Sequence, residues 1–220
     1  MTGRRPLPGA AALDWARALL LDAAERDRSG ALAAGLAQFD SWESLAGLAE
    51  TAWLAPARRP SALALRRARH RLRLLGSAPA DFAAAAGEGS AEPIHLRGAC
   101  APLPGADSTG EGDLWRREIV EDESGRWLVD DGYDFTLTGS DGQIALVLAA
   151  GGRLVNAARL RPGDRVSVFG FADQASDTAG LNRSPHGRGG LTLALRSGHE
   201  LPLLVCLIRR YDRGDDAPRR

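Results

Sequence analysis

The chain has 220 residues, 44% of them hydrophobic and 25% charged, which suits one large globular domain or two small ones. Its 28 basic and 28 acidic residues cancel, and every basic residue is arginine, so a Schiff base, a lysine general base and a Walker-type phosphate loop are excluded. No apolar run reaches the roughly 18 to 20 residues of a membrane-crossing helix, and two cysteines, Cys100 and Cys206, are too few for a disulfide framework or a metal cluster.

The neutral total hides two halves. Residues 1–80 carry 12 arginines against 7 acids, and residues 81–220 carry 16 against 21. The first residues, "MTGRRPLPGAAALDW", start like a secretory leader, but Asp14, Trp15 and Arg17 break the apolar stretch. A cytoplasmic protein is expected. "ALDWARALLLDAAERD" then places Leu13, Ala16, Leu20 and Ala23 or Ala24 along one helical face. Ser29 opens a second short helix through Phe39, and Ser41 caps a third, "SWESLAGLAETAWL", that ends before Pro56. Pro60 fits the first turn of a fourth helix running to Gly76. Residues 1–76 therefore predict a small all-helical bundle. The alanine-, glycine- and serine-rich residues 77–92 predict a linker.

From Pro93 the period changes to two. Ile94 and Leu96 alternate with His95 and Arg97; Tyr133, Phe135 and Leu137 share a face, as do Ile144, Leu146 and Leu148. Six to eight short strands separated by Gly/Asp turns predict a barrel or sandwich over 93–211. The loop 173–190 is polar and expected to be mobile, and 212–220 to be a disordered tail. The fold class is thus α+β, a helical bundle followed by an OB-like antiparallel β-barrel.

Several stretches in order, "IHLRGACAPLPG", "WRREIVEDESGRWLVDDGYDFTLTGSDGQIALVLAAG", "LRPGDRVSVFGFA" and "LTLALRSGHELPLLV", span Pro93 to about Ile208. Together they resemble the GIDE-type, or Beside-A-Membrane, domain of mitochondrial membrane-anchored ubiquitin ligases and many bacterial proteins. The resemblance implies an OB-like barrel that makes contacts close to a membrane and catalyses nothing. In bacteria it implies a component of a multiprotein system. A RING-type cysteine cluster is missing, so ligase activity is not implied.

Candidate chemistry is sparse. His70, His95, His186 and His199 are scattered and lack metal-ligand spacing. Asp130, Asp131, Asp134 and Asp141 lack the repeat of a calcium loop and read as turn aspartates. No catalytic residue, metal, cofactor or small-molecule substrate is expected, and the two cysteines read as buried free thiols. The strongest signal is "RRPSALALRRARHRLRLL", seven arginines without an acid. On a helix Leu65, Ala68, Leu72 and Leu75 make an apolar stripe. Arg66, Arg69 and Arg73, with Arg67 nearby, make a cationic stripe about 100° round. The candidate partners of that stripe are an acidic protein surface, an anionic membrane surface, nucleic-acid phosphates, or acids elsewhere in the same chain. A second candidate is "LPLLVCLI", where Leu203, Leu204, Val205 and Leu207 make both faces of a strand apolar; either the helical half covers it or a partner does. The function expected is a non-catalytic, protein-binding adaptor, with peripheral membrane binding and nucleic-acid binding as alternatives.

Overall fold

The alternation from Pro93 onward closes into a β-barrel in the computed structural model, which describes residues 3–6, 10–38, 62–82, 85, 93–103, 112–174, 191–198 and 202–211. The expected third helix, most of the 173–190 loop and the 212–220 tail lie outside the described residues. In chain order come β1 (Gly3–Pro6), α1 (Ala10–Glu25), α2 (Ala31–Leu36), α3 (Ala62–Leu75), β2 (Pro93–Pro102), β3 (Trp115–Asp122) and β4 (Gly125–Gly132). They are followed by β5 (Phe135–Thr138), β6 (Ile144–Val147), β7 (Arg153–Leu154), β8 (Arg159–Leu160), β9 (Arg165–Gln174), β10 (Leu191–Arg196) and β11 (Leu204–Arg209).

Five strands, β2, β5, β6, β10 and β9, pair in that order around the barrel, and β9 returns to β2. Four seams are antiparallel; the β6–β10 seam is parallel, with Ala145 opposite Leu193 and Val147 opposite Leu195. The barrel is antiparallel, as expected, except at this one seam. A closed ring with an odd number of strands cannot alternate direction all the way round. Inward residues follow the period of two: Leu96, Phe135, Leu137, Val147, Val166, Val168 and Leu195 are buried in one core.

The turn ahead of β9 explains "RPGD". Gly163 takes φ 90°, a left-handed value that favours glycine. The buried Asp164 carboxylate accepts the Arg161 amide at 3.0 Å and the Tyr211 amide at 2.9 Å, and meets Arg210 at 3.2 Å. One aspartate thus shapes the turn and anchors the chain beyond β11.

A second core lies outside the barrel. Ala16 and Leu20 of α1, Leu32 of α2 and Ala68, Leu72 and Leu75 of α3 bury against Phe169, Leu204, Cys206 and Val155. Helices α2 and α3 cross with their backbones in contact: a methyl group on Gly35 would strike the Leu72 carbonyl, and one on Gly76 that of Ala31. Helix α2 starts at Gly30, where the Asp27 carboxylate accepts the Leu32 amide at 2.9 Å.

The division at residues 76 and 93 is crossed in three places. Strand β1 pairs antiparallel with β4, Gly3 opposite Asp130 and Pro6 opposite Trp127, inside a sheet ordered β1-β4-β3-β8. "GRRP" has no apolar alternation, and its proline suits the edge position that β1 occupies. The helices share the second core with the barrel. Within the expected linker, Phe82 and Ala85 are buried in the barrel core, and the Ala80 amide donates to the His95 carbonyl at 2.7 Å.

Candidate functional site

Helix α3 is the arginine-rich element, and its two faces part as the sequence indicates. Leu65, Ala68, Leu72 and Leu75 turn toward the second core. Arg66 is exposed and Arg69 half-buried, with the Arg69 Nε lacking a hydrogen-bond partner among the described residues. His70, the next residue, is exposed. Arg73 is exposed as well, but its Nη2 lies 3.2 Å from Asp27 Oδ1. The Leu32 amide holds the Asp27 carboxyl below its ordinary pKa, with Ser29 and Arg73 adding to the effect. Arg67 is half-buried and has an intramolecular interaction, and Arg71 is buried with one. The stripe is therefore split: Arg73 ties α3 to the α1–α2 turn through Asp27, Arg69 is half-buried, and Arg66 is exposed.

The apolar strand is placed differently from a free interface. Leu203 and Val205 belong to the barrel core, Leu204 and Cys206 to the second core, and Leu207 is half-buried against the barrel. Leu203, Leu204 and Val205 are 0% exposed. Of the two alternatives the intramolecular one holds, and the candidate interface at Leu203, Leu204, Val205 and Leu207 is corrected: the helices already cover the outer face of β11. Asn156 completes the enclosure, donating to the Leu207 carbonyl at 2.9 Å and accepting the Leu207 amide at 2.6 Å.

The titratable groups are bound into structure. His95 is buried, stacked on Phe169 with centroids 4.1 Å apart, and burial lowers its pKa to about 4. Its Nδ1 lies 2.9 Å from the Ser77 carbonyl, which can only accept, so Nδ1 carries the proton and Nε2 accepts from the Ser167 hydroxyl at 3.0 Å. A histidine–serine pair results, yet it serves to fasten the segment after α3 onto β2 and β9. Cys100 and Cys206 are free and buried; burial raises the pKa of Cys100 to about 12 and pushes that of Cys206 up further. The aspartates hold backbone amides: Asp130 that of Leu154 at 3.4 Å, Asp134 that of Ala149 at 2.8 Å, and Asp141 that of Gln143 at 3.1 Å. Two of the three reach residues distant in the chain, beyond the local turns expected of them. Among the described residues no three His, Cys, Asp or Glu side chains gather where an ion could be held.

Among the described residues, aromatic side chains form no stacking platform on the barrel. Trp115, Phe135 and Phe169 are fully buried, and Phe171 packs against the second core. Tyr133 and Tyr211 are exposed but lie outside β5 and β6, the strands whose outer face carries Thr136 and Thr138.

A cavity of about 360 Å³ lies beside Phe82, lined also by Asp81, Arg97, Ser140, Asp141 and Arg165. The sequence carries no local signal for it, because Arg97 and Arg165 are brought together by strand register alone. Among the described residues no helix is long and apolar enough to cross a membrane.

Fold and surface define an α+β protein with a closed five-stranded barrel carrying a helical layer. No family model, no curated protein and no solved structure matches the chain.

Proposed function

We propose that this chain is a non-catalytic protein-binding adaptor whose barrel is a GIDE-type module and whose contact face is the outer side of α3. One observation carries the reading. The apolar stripe of α3 packs into the second core, so the helix is seated on the barrel and holds Arg66 and His70 outward, with Arg69 half-buried beside them. Guanidinium groups on a rigid helix match carboxylates on a partner with little ordering cost. An acidic protein surface is therefore the favoured partner, in the cytoplasm and within a larger assembly. Nucleic acid is disfavoured by the neutral total charge and by the burial of Trp115, Phe135 and Phe169.

The test is affinity capture from the native host with the full chain and with Arg66→Glu/Arg69→Glu, quantified by mass spectrometry. Both substitutions avoid Arg73, whose contact with Asp27 is structural. The variant should keep its thermal transition and lose specific partners that the parent retains. Identical partner sets would remove α3 as the contact face. Capture replaced by salt-sensitive binding to anionic vesicles would favour the membrane instead.

A further inference from the structure

Two patches of opposite charge lie on this chain, and among the described residues neither is neutralised. On the outer side of α3, Arg66 is exposed and Arg69 half-buried, and neither meets a carboxylate there. The β3–β4 hairpin carries the acids. Glu118 is held by Arg116 at 2.6 Å, and Asp122 accepts the Ser124 amide at 2.9 Å. Glu121 and Glu123 are exposed and make no ion pair among the described residues. Arg126 sits opposite Glu121 in the ladder without closing one. Ile119, two residues before Glu121 and so on the same side of β3, is 46% exposed.

The patches match in spacing as well as in sign. Arg66 and Arg69 are three apart on a helix, which puts their Cβ atoms about 5–6 Å from each other. Glu121 and Glu123 are two apart where β3 runs into its turn, a rise of roughly 7 Å. Long side chains absorb that difference, so both ion pairs form in one approach. An arginine stem also covers apolar surface, and Ile119 offers it beside the acids. The balance of charge favours another copy as the occupant. The 28 basic and 28 acidic residues cancel, so two copies approach without the long-range repulsion that keeps charged proteins apart.

We propose that the outer side of α3 docks the β3–β4 hairpin of a second copy of this chain, a placement that rests on α3 being a protein contact face. Arg66 and Arg69 meet Glu121 and Glu123, and the arginine stems lie against Ile119. Because the two patches differ, a two-fold pair makes the contact twice and a row of copies makes it once per neighbour. Exposed ion pairs contribute little singly, and the expected Kd is on the order of 0.1–1 mM at low salt.

The experiment is sedimentation equilibrium of the full chain at up to about 0.5 mM. The average mass should rise with concentration at an ionic strength of about 10 mM, where the Debye length is roughly 30 Å. At about 0.15 M, where it is roughly 8 Å, the apparent Kd should weaken at least about tenfold. Arg66→Glu/Arg69→Glu and Glu121→Arg/Glu123→Arg should each abolish the rise. All four substitutions together restore the opposed signs and the neutral total, and association should return. Arg97→Glu/Arg165→Glu alters the net charge as much as the α3 pair does, at exposed positions outside the proposed contact, and should keep most of the association. If Arg69→Glu disturbs the packing, the exposed Arg66→Glu alone should weaken association about threefold. A parent that stays monomeric at low salt would overturn the proposal, and so would a fourfold variant that does not recover. Either result leaves the capture experiment on α3 standing, and loss of captured partners without self-association would assign that face to another protein.

Discussion

The two cores meet at β9 and β11 but are built from different material. Inside the barrel, strands supply β-branched and aromatic residues at every second position, such as Val166, Val168 and Phe135. Outside it, α1, α2 and α3 bring alanine and leucine down onto Phe169, Leu204 and Cys206. Along β9 the two meet residue by residue: Val168 points inward and Phe169 outward. The lesson is that the barrel's outer wall is a packing surface for the helices, so the outer side of α3 is positioned by strands far away in sequence.

Truncating the inner core should cost most. Phe135→Ala removes a 0%-exposed ring from the barrel centre, and a loss of about 3–5 kcal/mol is expected by chemical denaturation. Leu204→Ala strikes the outer core, and a loss of about 2–4 kcal/mol should come with faster amide exchange along α3. Equal loss without faster exchange would mean that α3 is held elsewhere.

The next effect separates the cores by pH. His95 is neutral when buried, with its pKa lowered from 6.5 to about 4. Below pH 6.5 the unfolded chain takes up a proton that the folded one refuses. Stability is therefore complete above pH 6.5, falls as pH drops toward 4, and levels below it, by at most about 3 kcal/mol. His95→Gln should remove this part of the pH profile, and an unchanged profile would assign it to other groups. The smallest loss belongs to Asn156→Ala, about 1–2 kcal/mol, because both bonds to Leu207 go but β11 keeps its ladder to β9.

Much of this architecture is legible before any coordinates. Alternation around Leu96, Phe135 and Val168 marks the strands, and the i, i+3, i+7 spacing of Leu65, Ala68, Leu72 and Leu75 marks α3. The doubled apolar faces of residues 203–207 signal that something covers them. What is hidden depends on distant pairing. "GRRP" becomes a strand only because β4 offers an edge about 120 residues later. Phe82, a lone aromatic among alanines, enters the barrel core from a stretch whose composition says linker. The cavity arginines carry no spacing signal, and Arg73 passes for a binding residue until Asp27 is found beside it.

Native-state hydrogen exchange on α3 and β9, followed by mass spectrometry or NMR, decides whether the helix is a rigid part of the barrel. The slowest amides of both elements should share one opening free energy and fall together in Leu204→Ala. An α3 that exchanges far more readily than β9, through an opening insensitive to Leu204, would contradict the fixed contact face.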